Sequence, residues 1–176
     1  LKLRENELLV SLLDRFDDAA CQELLALRRL RSERHPYEYS YESKVEEIEG
    51  TATYVELQAL RQLDARAAAA MQARMCAAVT KPEALFPVRI SCYDTGALMI
   101  HALTCAGLYS FQTAERPAAC AALKKILPSD GNFPGKDALL QRASNAVDAF
   151  HRDSEAIIHA ALAQNEVVAE GPLELA

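Results

Sequence analysis

The stretch that most constrains this chain is residues 40–56, SYESKVEEIEGTATYVE. A helix advances about 100° per residue at ~3.6 residues per turn. Val45, Ile48, Ala52, Val55, Ala59 and Leu63 then fall on one apolar stripe, the mark of a helix with one face against a core. Glu49 and Glu56 lie on the flank of that stripe, and a carboxylate leaning inward requires a partner. Gly50 interrupts the helix interior, where glycine costs ~1 kcal/mol against alanine. A bare backbone is expected there because something approaches closely.

The same three- and four-residue spacing runs through the rest of the chain. Leu9, Leu12, Leu13, Phe16, Ala20, Leu24 and Leu27 predict helix over 6–34. A break near Asp17 and Asp18 is expected, with an aspartate capping a second helix. Pro36 ends that run at His35, and Tyr37, Tyr39 and Tyr41 alternate as a short extended link. A central helix is predicted over 41–79, its second half (ARAAAAMQARMCAAV) small-faced. Lys81 and Pro82 stop it, and Phe86 and Pro87 end the following loop. The next helix, 88–107, places Arg89, Tyr93, Gly96, Ile100, Leu103 and Gly107 on one face, with Gly107 suited to C′.

A shorter helix over 117–126 opens on Pro117, and 128–135 (PSDGNFPG) reads as turn. The last helix, 136–164, is expected to bury Leu139, Leu140, Ala143, Val147, Phe150, Ile157, Ile158 and Leu162. No stretch has the alternation of a strand. The fold class is therefore all-α: one helical domain over 1–164 of about five to six helices, with a loose tail over 165–176.

At 176 residues and 51% hydrophobic, the chain can bury a core. Its net charge of −6 argues against a nucleic-acid surface or an anionic membrane as partner. Arg28, Arg29, Arg31 and Arg34 cluster, but seven acids share residues 1–35 with them, so a solvated helix end is expected. The five cysteines are odd in number and form no CxxC. They read as small buried hydrophobes in a reducing, cytoplasmic setting. No apolar run reaches the ~18 residues of a membrane span, and the charged-then-apolar pattern of a signal peptide is not read in these residues. The chain opens on Leu1 and leads directly into a helix, as if continuing a segment upstream.

For Glu49 two readings stand: an ion pair with an arginine of another helix, such as Arg89, or a metal ligand or catalytic carboxylate. Arg89 and Tyr93, four residues apart, can share a helix face. They suit either a structural pair or donors to an oxyanion. The histidines do not assemble a site. His151 and His159 lie eight apart beside Asp148, Arg152 and Glu155, His101 sits in an apolar helix, and His35 precedes a proline. Neither GxSxG nor a phosphate-binding glycine loop occurs, and Cys92 has no histidine nearby in sequence.

Glu49-Gly50-Thr51-Ala52-Thr53-Tyr54-Val55-Glu56 resembles the E-G-x-A-x-Y-x-E element of gluzincin-type zinc metallopeptidases. Residues 89–98 (RISCYDTGAL) are similar to an R-x-x-x-Y-x-x-G-A helix of an uncharacterised bacterial branch of zincin-like proteins. The likeness spans about residues 20–110 and implies that Glu49 is the third zinc ligand. It further implies Tyr93 and Arg89 on the electrophilic side of the site, and water attack on a peptide carbonyl. The HExxH that supplies two histidines and the base does not occur in these residues. The resemblance therefore implies zinc only with those ligands supplied upstream of Leu1. The alternative is a non-catalytic helical binding or oligomerisation module, a homo-oligomer packed through the alanine-rich half of the central helix.

Overall fold

The structure is a computed structural model that describes residues 1–85, 88–110 and 132–164. It is all-α. Among the described residues there are six α-helices, one 3₁₀ turn at Pro82–Leu85 and no strand. The helices are α1 (Lys2–Asp14), α2 (Asp18–Arg34), α3 (Pro36–Leu63), α4 (Ala65–Val79), α5 (Val88–Cys105) and α6 (Lys136–Gln164). The chain divides into two compact units, Leu1–Pro134 and Gly135–Ala176. The expected helix over 117–126, most of the turn before Gly135, the 165–176 tail, Cys120, Phe86 and Pro87 lie outside the described residues.

Local chemistry sets the helix ends. The Asp17 carboxylate accepts from the Ala20 N–H at 2.8 Å and starts α2, so the predicted break is present. Pro36 occupies the first turn of α3, where its missing N–H costs nothing. Tyr37, Tyr39 and Tyr41 are consequently helical and form no extended link. The single central helix over 41–79 is likewise corrected. Asp64 is extended, and its carboxylate accepts from the Arg66 and Ala67 N–H groups, both at 3.0 Å. That cap ends α3 and begins α4, which folds back so that Leu60 and Met71, Glu56 and Arg74 line one cleft. At the end of α5, Gly107 has φ +70°. Its N–H donates to Thr104 O and that of Leu108 to Leu103 O, which caps the helix as expected from Gly107.

In the first unit, α5 is the central element. It is buried on every side from Asp94 to Leu103, not on one face, with α3, α1 and α4 packed around it. Its closest neighbour is α3, and the contact is backbone to backbone. A Cβ built on Gly50 would meet Gly96 Cα at 2.5 Å; one on Gly96 would meet the Glu46 carbonyl oxygen at 2.5 Å. The bare backbone expected at Gly50 is thus explained by α5.

This crossing also decides which face of α3 is inside, and it overturns the predicted stripe. Val45 is buried, but Ile48 is 69% and Leu63 84% exposed, and Ala52, Val55 and Ala59 face solvent. The inward face is Glu42, Val45, Glu46, Gly50, Tyr54 and Leu57. The apolar spacing was genuine, but the two glycines permit a closer helix contact than Ile48 or Val55 would. In the second unit, α6 leaves Val147, Phe150 and Ile157 exposed and Leu139, Leu140, Ala143, Ile158 and Leu162 half-buried, so none of the eight reaches the full burial expected.

Candidate functional site

Two constellations of charged groups lie on α3, one inside the fold and one at its open edge. The inner one joins α1, α2, α3 and α5. Arg28 donates to Glu5 Oε1 at 2.8 Å and to Glu46 Oε2 at 2.5 Å. Arg31 donates to Glu5 Oε2 at 2.8 Å and to both oxygens of Glu42 at 2.6 Å. Lys2 Nζ stands 3.2 Å from both Glu42 Oε2 and Glu46 Oε1, and Thr95 Oγ1 donates to Glu46 Oε1 at 2.8 Å. The guanidinium groups of Arg28 and Arg31 also lie over the Tyr39 ring, at 5.4 and 5.9 Å.

All three carboxylates and both arginines of this network are buried. Burial pushes the Glu46 carboxyl upward, but Arg28 and Lys2 outweigh it and hold it well below the usual carboxylate range. Glu5 is shifted downward against burial by Lys2, Arg28 and Arg31. Lys2 is correspondingly raised: Glu46 and Glu5 overcome the desolvation that would lower it. Three fixed cations thus face three fixed anions, which is how charge is tolerated in an interior. The solvated helix end expected of the arginines holds for Arg29 and Arg34 and fails for Arg28 and Arg31. A signal was present: Glu42 and Glu46 are like charges four apart, Arg28 and Arg31 like charges three apart. Such pairs disfavour a helix unless another element neutralises them.

The outer constellation contains the residues singled out from sequence. Glu49 and Glu56 do not lean inward. Glu49 is about one-third exposed, its side chain at 30%, and Glu56 is exposed. Arg89 of α5 donates to Glu49 Oε1 at 2.9 Å, and its Nε donates to Tyr93 Oη at 3.3 Å. Glu49, Arg89 and Tyr93 therefore form one hydrogen-bonded array across α3 and α5. The glycine crossing brings them together: Gly50 and Gly96 are neighbours of the array on each helix. Tyr93 accepts from Arg89, so its own O–H proton is available to another acceptor. Glu49 Oε2 has no hydrogen bond among the described residues.

Tyr93 also lines a cleft of about 470 Å³, with Thr53, Glu56, Leu60, Met71, Arg74, Ile90 and Asp94. Asp94 was missed from sequence. Its side chain is 13% exposed, 3.9 Å from Arg74, and burial shifts its carboxyl upward against the pull of Arg74. The cleft is lined by side chains of α3, α4 and α5, apolar at Leu60, Met71 and Ile90 and polar at Thr53, Glu56, Arg74 and Asp94.

Zinc can be tested against the residues present. Among the described residues no three His, Cys, Asp or Glu side chains stand close enough to hold a metal ion. Glu49 offers one oxygen, and a stable zinc site takes about four ligands. The described residues do not fit zinc by themselves. Of the other candidates, His101 is buried as expected, whereas His151 and His159 are exposed on α6. Cys21 and Cys92 are buried, Cys76 is half-buried and Cys105 is exposed; all four are free thiols. No described helix is long and apolar enough to cross a membrane. In comparisons with known proteins, no family model, no curated protein and no solved structure matches this chain.

Proposed function

We propose that the Glu49–Arg89–Tyr93 array is the carboxylate and electrophile half of a peptidase-type hydrolytic site. The observation that carries this reading is the array itself. The three residues singled out by the two zincin-like motifs are hydrogen-bonded to one another, at an open edge and beside a cleft. Arg89 orients both neighbours. Tyr93 has a free O–H to donate to the oxygen of a carbonyl as it gains negative charge. Glu49 keeps one oxygen unengaged, and the cleft offers Leu60, Met71 and Ile90 to a side chain of a peptide substrate.

The histidines and general base of such a site belong, in this proposal, to a segment encoded before Leu1; a cytoplasmic setting is part of it. The test is zinc content and peptide hydrolysis of the protein made from the whole uninterrupted reading frame. About one zinc per chain is expected, lost in Glu49→Gln, with kcat reduced by about 10² in Tyr93→Phe. A metal-free, inactive product whose reading frame encodes no HExxH rejects the proposal.

A second reading is a non-catalytic binding or oligomerisation module. It is favoured by side chains that face solvent: Ile48, Val55 and Leu63 along α3, and Ala69 and Ala70 on α4. Light scattering across a concentration series separates the two, because a monomer at all concentrations removes the oligomeric reading.

A further inference from the structure

The cleft beside the array carries a charge pattern that the proposed chemistry does not use. Its carboxylates are Asp94 of α5 and Glu56 of α3, and the cation among its lining residues is Arg74 of α4. Two acids against one base leave it net negative. Its apolar members, Leu60, Met71 and Ile90, come one from each of the same three helices.

Asp94 is the unusual member. Its side chain is 13% exposed, yet it accepts no hydrogen bond among the described residues. Arg74 stands 3.9 Å away, too far for a hydrogen bond, and is itself 64% exposed. Burial raises the Asp94 carboxyl against the pull of that charge. A polar group so far removed from water is ordinarily hydrogen-bonded. Here the chain supplies no donor, and the cleft that Asp94 lines gives a ligand access to it. Glu56, exposed on the same cleft, makes no ion pair among the described residues either. An anionic ligand drawn to Arg74 would meet both carboxylates, and juxtaposed like charges cost affinity.

We infer that this cleft receives a cationic side chain on an apolar stem, lysine or arginine, of a peptide substrate, with Asp94 as the specificity-determining anchor. The peptide rests on the hydrolytic reading above; the cation rests on the cleft itself. The ammonium or guanidinium donates to Asp94, while its methylene stem lies against Leu60, Met71 and Ile90. A volume of about 470 Å³ falls within the range of ligand sites. Arg74 competes with the ligand for Asp94. Tyr93 belongs both to the array and to the cleft lining, so the anchored side chain is held beside the hydroxyl assigned to the carbonyl oxygen.

The test is calorimetric binding to the protein made from the whole reading frame. The probes are three capped tripeptides, alanine–X–alanine, with lysine, norleucine or glutamate at X, and n-butylammonium as the free amine. Norleucine keeps the stem and removes the charge. The lysine peptide should bind about tenfold more tightly than the norleucine peptide, as expected of a hydrogen bond to a charged group. Asp94→Asn should make the two equal. Arg74→Gln should tighten the lysine peptide by about two- to fivefold, the range of an exposed ion pair. Equal binding of lysine and norleucine by wild type, or tighter binding of glutamate, overturns the inference. So does a purely structural Asp94–Arg74 pair, in which both variants melt earlier and neither changes the preference. Butylammonium bound as tightly as the lysine peptide overturns the peptide assignment. If Asp94→Asn does not fold, the wild-type preference and Arg74→Gln decide. Hydrolysis is read separately. Cleavage of all three peptides at one kcat/KM overturns this inference and leaves the hydrolytic reading, whereas lysine-selective binding without cleavage supports the cation cleft and rejects that reading.

Discussion

Glu46 receives hydrogen bonds from Arg28, Lys2 and Thr95, residues of α2, α1 and α5, while itself belonging to α3. One side chain thus ties together four helices. Such a network is not a large source of stability as a whole, because desolvation of each ion offsets much of the attraction. Breaking it from one side is another matter. Arg28→Met leaves Glu46 and Glu5 buried with fewer cations, and is expected to cost about 3–5 kcal/mol. Urea denaturation would measure that cost. Exchanging Arg29, which is exposed on the same helix, for Met should change stability by no more than ~0.5 kcal/mol. Similar effects for the two substitutions would remove the buried network from the account of this fold.

At the scale of helices, the organising contact is α3 against α5. Both glycines meet backbone, not the flexible end of a side chain, so an added methyl cannot be absorbed by a rotamer change. Gly96→Ala gains ~1 kcal/mol in helix propensity, against an overpacking cost of about 1–3 kcal/mol or more. With contacts of 2.5 Å to the Glu46 carbonyl, the steric cost should dominate and the variant should melt at lower temperature. A calorimetric midpoint equal to or above wild type would show that the helices can separate cheaply. The same substitution is expected to weaken the Glu49–Arg89 ion pair, because the array exists only while the two helices stay close.

For the whole molecule, the titrating groups give the acid limb a definite shape. Glu5 and Glu46 are lowered in the folded state. Their stabilisation is present above the ordinary carboxylate value of about 4.3 and is lost as pH falls below it, when the unfolded chain takes up protons first. His101 acts in a higher window. Held at about 4 in the fold, against an ordinary ~6.5, it stays neutral while the unfolded histidine is protonated. Stability should therefore fall gently from about pH 6.5 toward 4 and steeply below about 4.5. In His101→Gln the gentle portion should flatten while the steep one remains. Circular dichroism melts every half pH unit would show both, and a curve level down to pH 4 in wild type would contradict the neutral buried histidine.

The chain's own periodicity determined that it is helical, because apolar residues at three- and four-residue spacing suit only that backbone. The Asp17 cap, the stop at His35 before Pro36 and the Gly107 cap were also legible, being set by side chains within one turn of the backbone they satisfy. Asp64 and Pro36 obey the same local rules, yet the apolar run of the central helix and the tyrosine alternation masked them. Arg89, Tyr93 and Glu49 could be named as a possible group, since an ion pair between them needed only two helices side by side. Which face of α3 is inside was decided by tertiary structure. The choice lies between an apolar stripe led by Ile48 and a face carrying Glu42, Glu46 and Gly50. The second wins where α5 presents Gly96 for close contact and α1 and α2 bring Lys2, Arg28 and Arg31 to the carboxylates. Neither condition is local to 40–56. A hydrophobic pattern records what a helix could bury, whereas three cations arriving from other helices determine which charges it can bury.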